Sequence, residues 1–158
     1  MRGYFAHYLH KQMRKNKSTY LITGDLGYKV WDQIKKDFPD RFINAGASEQ
    51  AMMGLAVGLA LEGKIPFVYS ITTFLLYRPF ETIRNYINLE KIPVRLVGSG
   101  RGRDYSHDGI SHWPEEEKKV LAIFKNIKAV WPEELTEIPI LVKQMVKINQ
   151  PWYINLKR

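Results

Sequence analysis

From end to end the chain alternates short strand-like runs with stretches of helical spacing, and this order restricts its fold more than any other feature. Phe5, Leu9 and Met13, with Tyr8 beside them, recur at helical spacing through residues 2–15, and Arg14, Lys15 and Lys17 close that segment. Tyr20–Thr23 reads as a strand stopped by Gly24-Asp25-Leu26-Gly27, after which a helix over Val30–Asp37 ends at Phe38-Pro39. The pattern repeats, with strand-like runs at Arg41–Asn44, Phe67–Ile71, Val94–Val97, Ile127–Trp131 and Trp152–Leu156. Helical stretches lie between them at Ser48–Glu62, Phe74–Glu90, Glu115–Lys125 and Glu133–Lys147. Such order predicts an α/β fold, a parallel sheet of about six strands with helices on both faces. Ligands of these folds bind on the loops at the carboxyl edge of the sheet.

A chain of 158 residues fits one domain, 1–158, and 45% hydrophobic with 25% charged residues is a globular composition. The absence of cysteine excludes disulfide scaffolds, thiolate metal sites and cysteine nucleophiles. Lys and Arg number 24 against 16 Asp and Glu, a net charge of +8 that favours an anionic partner: nucleic acid, phosphorylated metabolite or acidic protein. The first residues lack the apolar core and cleavage site of a signal peptide, and nowhere do about 18 apolar residues run together, so a cytoplasmic protein with no membrane partner is expected.

Several segments invite a chemical reading. Gly58 to Lys64 superficially fits a phosphate loop, but Ile65 stands where Ser or Thr is required and the segment leads from helix to strand, the wrong direction. Gly98-Ser-Gly100-Arg-Gly102 follows a strand, yet lacks the final glycine spacing of a dinucleotide site. His107-Asp108-x-x-x-His112 contains metal-ligand residue types without a third ligand, so a polar active-site loop ranks ahead of a metal, with solvated histidines as the plain alternative. The irregular stretch 98–114 that carries it is the longest in the chain, and long loops in compact domains are usually functional.

Asn44-Ala-Gly-Ala-Ser-Glu49-Gln-Ala-Met-Met places Ser48 as N-cap and Glu49 at the head of a helix apolar nearly all round, expected to be buried. Glu49 either complements the helix dipole or, lying at a strand end, shares a proton with a ligand nitrogen. Phe74, Tyr77 and Phe80, at i, i+3 and i+6, suit core packing or a stack for a flat heteroaromatic ligand. Five cations and no acid in the first 24 residues suit a solvated helix face or nucleic acid.

Taken together, Gly24-Asp25-Leu26, Phe38 to Met52, Thr72-Thr-Phe74-Leu-Leu-Tyr77 and His107-Asp108-Gly-Ile-Ser-His112-x-Pro114 resemble, in order and spacing, the pyrimidine-binding domain of transketolases over essentially the whole chain. Deoxyxylulose-phosphate synthases and 2-oxoacid dehydrogenase β subunits share this domain more loosely. The resemblance implies that Glu49 bonds a ring nitrogen of the thiamine diphosphate aminopyrimidine and promotes the imino tautomer that deprotonates the thiazolium carbon. It implies an aromatic pyrimidine pocket of Phe74, Tyr77 and Phe80, and places Asp25 near the cofactor. Asp108 and His112 correspond to groups that contact donor-sugar hydroxyls and assist proton transfer, set apart from the aromatic row, and Arg2 and Arg158 to arginines that hold a sugar phosphate. Gly100 stands where transketolases carry a phosphate-binding histidine and Lys29 near their phosphate-binding serine; Arg101, Arg103 or Lys29 can compensate.

Residues 1–158 do not contain the family's Gly-Asp-Gly…Asn segment for magnesium and diphosphate, and a third domain after Arg158 is not expected. The resemblance therefore implies one chain of a split transketolase, its Mg2+ ligands on a separate diphosphate-binding subunit, in a hetero-oligomer of two plus two chains. Helices 48–62 and 74–90 are then interface candidates. The implied reaction moves a two-carbon ketol unit from a phosphorylated or nucleotide-linked ketose to an aldehyde. Alternatives are another thiamine diphosphate enzyme, of deoxyxylulose-phosphate synthase or 2-oxoacid dehydrogenase type, and, ranked last, a non-catalytic basic domain that binds nucleic acid.

Overall fold

The computed structural model describes residues 1–158. Six parallel strands, β1 (Thr19–Thr23), β2 (Phe42–Asn44), β3 (Ile65–Ile71), β4 (Arg95–Ser99), β5 (Lys128–Val130) and β6 (Trp152–Leu156), form one sheet in the order β2-β1-β3-β4-β6-β5. The expected α/β architecture is present, and each strand falls within a few residues of its place in the sequence pattern. Strand side chains alternate between two cores, as the pleat requires. Leu21, Phe67, Tyr69, Val97, Trp152 and Ile154 meet helices α1 (Arg2–Lys15), α2 (Asp32–Asp37) and α7 (Ile138–Lys147) on one face. Ile22, Val68, Leu96 and Tyr153 meet α3 (Glu49–Leu61), α4 (Thr72–Tyr77), α5 (Phe80–Thr82) and α6 (Glu117–Ile123) on the other. In α1 the spacing of Phe5, Leu9 and Met13 turns all three into the core, while Arg14 and Lys15 sit against the negative end of its dipole. No helix is long and apolar enough to cross a membrane.

Three local expectations change. The stretch 74–90 is not one helix: α4 stops at Tyr77, Pro79 interrupts the backbone bonding, and α5 runs into a π-helical segment over Ile83–Leu89. Ser48 occupies the N-cap position of α3, but its side chain makes no capping bond. Finally, α3 is not buried all round; Met52, Met53, Ala56 and Val57 enter the core, whereas Ala51, Gly54, Leu55, Gly58 and Leu61 face solvent.

Buried polar groups gather at the carboxyl edge of the sheet. Glu117, at the start of α6, accepts hydrogen bonds through Oε1 from the Tyr153 hydroxyl, from Trp131 Nε1 at 2.9 Å and from Asn155 Nδ2 at 2.8 Å. Asn155 Nδ2 also lies within bonding distance of Thr72 Oγ1 and the Gly100 carbonyl, and the Thr72 hydroxyl is within reach of the Ser99 and Gly100 carbonyls. One carboxylate thereby ties α6, β6, the end of β4 and the start of α4 together. Burial, with the Glu117 carboxylate beside it, pushes the Tyr153 hydroxyl well above its ordinary range.

Replacing Glu117 by Ala removes the acceptor that Tyr153, Trp131 and Asn155 share and is expected to destabilise the chain by about 3 kcal/mol, whereas Glu117→Gln, which keeps one carbonyl oxygen, costs less. Urea unfolding of the two variants measures the difference; equal stability of Glu117→Ala and wild type would contradict it.

Candidate active site

The order β2-β1-β3-β4 means that the connection leaving β1 runs to one side of the sheet and the connection leaving β3 runs to the other. The strand ends part at such a switch point, and a crevice opens between them. Glu49 fills the crevice between β1 and β3. Its residue is 3% exposed. Its approach depends on Gly24 at the end of β1, where an added Cβ would lie 2.8 Å from Met52 Sδ, 3.1 Å from the Gly46 carbonyl and 3.6 Å from Glu49 Oε1. Ser70 of β3, itself fully buried, donates its hydroxyl to Glu49 Oε1 at 3.1 Å, and Arg78 Nη1 donates to Oε2 at 2.7 Å. Both partners lie outside α3, so the carboxylate serves the crevice and does not cap its own helix.

The two ring walls of the crevice come from α4 and the loop after β4. The Arg78 guanidinium lies 3.8 Å from the centre of the Phe74 ring, a cation–π contact. His112 meets Phe74 edge-on with ring centres 4.8 Å apart. That histidine is anchored locally, since Thr73 Oγ1 donates to the Ser111 carbonyl at 2.6 Å and the Ser111 hydroxyl bonds His112 Nδ1 at 3.0 Å. The sequence set His112 apart from the aromatic row; the structure joins them, because the 3-10 turn Ile110–His112 docks on α4. Of the other two aromatic residues, Tyr77 is exposed, and Phe80, beyond the Pro79 break, packs on the core with its ring 5.3 Å from Phe124. The row at i, i+3 and i+6 is accordingly not one continuous helix face.

Asp25 stands at the mouth of the crevice with φ of 54°, clasped to Asn44: its backbone N–H donates to Asn44 Oδ1 at 2.9 Å and Asn44 Nδ2 donates back to its carboxylate at 3.1 Å. Asp108 is exposed in the short turn Ser106–Asp108, separated from His112 by Gly109 at φ 78°. No three His, Cys, Asp or Glu side chains converge anywhere in the chain.

A second cluster forms around Tyr105. The Tyr105 hydroxyl is 2.8 Å from Ser99 Oγ and receives Arg2 Nη1 at 3.3 Å, while the Arg158 guanidinium lies over its ring at 4.9 Å. Arg2 and Arg158, at opposite ends of the sequence, are thus brought to one aromatic side chain. Gly100 makes room for it: with φ of 91°, an added Cβ would fall 2.4 Å from the Tyr105 ring. Arg103 stacks on Trp113 at 4.4 Å and pairs with Glu115. Arg101 is held by Asn155, the Pro132 carbonyl and Glu133. Lys29 is exposed, at φ 64°.

Sequence reasoning singled out Glu49, Phe74 and His112 but passed over Ser70, Arg78 and Tyr105. Arg78 directly follows the aromatic segment, and a buried glutamate needs a cationic or donor partner; that requirement was the available signal.

The family described as "Transketolase, pyrimidine binding domain" matches residues 1–158. The "Putative transketolase C-terminal section" of Methanocaldococcus jannaschii is 31% identical over 146 residues, 92% of this chain and 46% of that protein. One of the subunits of the apulose-4-phosphate transketolase of Actinobacillus succinogenes is 31% identical over 121 residues, 77% of this chain and 39% of that protein. Among solved structures, "Split gene transketolase, inactive beta4 tetramer" superposes with a TM-score of 0.88 at 30% identity, over 99% of this chain and 50% of that one. The chain thus spans about half the length, or less, of these relatives.

Ser70→Ala removes the donor to Glu49 Oε1. A hydrogen bond to a charged group of this kind is worth about 1.5–3 kcal/mol, so the urea midpoint is expected to fall by the corresponding amount with an unchanged slope. An unaltered midpoint would show that Ser70 does not support the carboxylate.

Proposed function

The chain belongs to the transketolase pyrimidine-binding domain family, and from that premise we propose that it is the pyrimidine-binding subunit of a split, thiamine diphosphate-dependent transketolase. The family is one of thiamine diphosphate enzymes with a transferase role. The observation that carries the finer reading is Glu49: a carboxylate buried at the switch point, with one oxygen fixed by Ser70 and the other paired with the Arg78 guanidinium over the face of Phe74. A planar heteroaromatic ring with a polar nitrogen fits that pairing of carboxylate and ring face, since a planar N–H donor already sits there in the form of the Arg78 guanidinium.

When bound, the cofactor supplies the carbon nucleophile that takes up the two-carbon unit of the ketose. The chain's own residues do the rest on this side of the site. Glu49 holds or releases a proton at Oε2 toward the ring nitrogen, in surroundings that keep water out. Phe74 aligns the ring and Asp25 borders the mouth; Phe80, packed on Phe124, and the exposed Tyr77 stand apart from that face. His112 keeps Nε2 as its second polar ring atom and, with Asp108, acts on the hydroxyls of the sugar.

Arg2 and Arg158, gathered at Tyr105, bind the anionic end of the ketose, with Arg103 at the rim of the same loop. A relative named for apulose 4-phosphate is in keeping with a phosphorylated sugar. Diphosphate and Mg2+ are held by a separate subunit, and the solvent-facing apolar side of α3 is available to bury in that assembly. The expected assembly has two copies of each chain.

Two measurements test this reading. This chain alone is expected to give no ketol transfer, and mixing it with a diphosphate-binding transketolase subunit to give turnover dependent on thiamine diphosphate and Mg2+; tight cofactor binding and full activity without any second subunit would refute the split enzyme. In the assembled enzyme, Glu49→Gln should lower turnover at least about 100-fold with the fold retained. Asp108→Ala should lower sugar turnover while cofactor-dependent assembly persists, whereas His112→Ala, which also removes a wall of the Phe74 site, should weaken both.

A further inference from the structure

Arg78 makes the two contacts that the proposed function asks of the cofactor ring. Its Nη1 donates to Glu49 Oε2 at 2.7 Å, and its guanidinium carbon lies over the Phe74 ring, 3.8 Å from its centre. We propose that Arg78 is a stand-in for the aminopyrimidine, closing the site in the ligand-free chain and leaving when the ring arrives. This rests on the reading of Glu49 as the residue that meets the cofactor ring.

The two partners differ in freedom. The Glu49 side chain is 2% exposed and fixed by Ser70, whereas that of Arg78 is 47% exposed. A buried carboxylate without a partner is strongly unfavourable, and Glu49 cannot swing out to find water. Arg78 can move. It is the C-cap that follows α4, immediately before Pro79, where the helix breaks, so its stem is not locked between turns of a continuous helix. The opposite edge of Phe74 is closed by His112, which Thr73 and Ser111 hold in place. Arg78 is thus the movable side of the site and His112 the fixed one.

Oε2 and the Phe74 face admit one planar group at a time, so ring and guanidinium exclude each other. A ligand that bonds Glu49 without stacking, or stacks without bonding, replaces only half of what Arg78 provides and is disfavoured. Arg78 thereby sets a threshold for occupancy, and keeps Glu49 paired in the chain before it assembles.

The stand-in makes ligand-free stability and cofactor affinity change in opposite directions when it is removed. The experiment compares wild type, Arg78→Ala, Arg78→Gln and Glu49→Gln by urea unfolding of the free chain and by calorimetric titration of thiamine diphosphate with Mg2+ into the assembly with a diphosphate-binding subunit. Arg78→Ala is expected to lower the urea midpoint and to tighten the cofactor dissociation constant roughly 3- to 10-fold, between the worth of an exposed and a buried ion pair. Arg78→Gln, which keeps a donor but no charge, should fall between, and serves if the alanine variant does not fold. Weaker binding by both Arg78 variants, with Glu49→Gln also weakened, would make Arg78 a direct ligand and overturn the stand-in alone. Unchanged affinity in the Arg78 variants would overturn it too. Unchanged affinity in Glu49→Gln, or no binding by the wild-type assembly, would remove the underlying reading of Glu49 and the stand-in with it.

Discussion

Everything at the candidate site follows from the burial of one charge. A carboxylate placed in the crevice between β1 and β3 is tolerated only if each oxygen meets a donor and nothing crowds its approach. Three elements meet those conditions separately. Gly24 ends β1 with no side chain, Ser70 on β3 supplies a hydroxyl, and Arg78 at the end of α4 supplies a cation. The strand order brings these elements together, because β1 and β3 are neighbours while the residues between them in sequence form β2 and α3. A change in strand order would leave Glu49 a buried charge with no partner.

Polar groups are distributed unevenly between the two ends of the sheet. At the carboxyl edge two buried groups lie around the site loops, Glu49 with Ser70, and Thr72, Ser99, Asn155 and Glu117 linked to one another. Toward the amino edge the buried charge is Arg95, whose guanidinium reaches the carbonyls of Met145, Pro93 and Ile148 and so stitches β4 to the end of α7. Burial lowers Arg95 to about 10, still far above neutrality, so it stays charged with only backbone oxygens to compensate it. One end is built around adaptable side-chain networks and the other around a fixed staple.

The strands and helices were legible because their signal is local: apolar periodicity within a dozen residues fixes an element and the face it buries. Glu49 was legible for the same reason, as an acid at a helix start directly after a strand. Ser70 and Arg78 were not, since their partner lies 21 and 29 residues away and the packing of α3 on β3 brings them together. The Glu117 cluster was hidden in the same way, its partners Tyr153 and Asn155 lying 36 and 38 residues on. For α3 the difficulty was different. Apolar residues on every side look alike whether they face a core or solvent, and periodicity carries no information on which. Pro79 did announce the break in the 74–90 helix, although the aromatic spacing across it favoured a continuous face.

The place of β6 in the sheet bears on how the chain is made. In sequence β5 precedes β6, but in space β6 lies between β4 and β5 and bonds to both. During synthesis β4 and β5 therefore emerge with nothing to join them, and β4 keeps a bare edge of unpaired N–H and C=O groups until residues 152–156 arrive. Such non-local pairing is slow to form. Asn155, which also completes the Glu117 cluster, arrives in the same step. The sheet and the polar network at its carboxyl edge thus close together, late, and a chain interrupted before Trp152 keeps β2-β1-β3-β4 paired but leaves β5 unattached and an edge open to wrong partners.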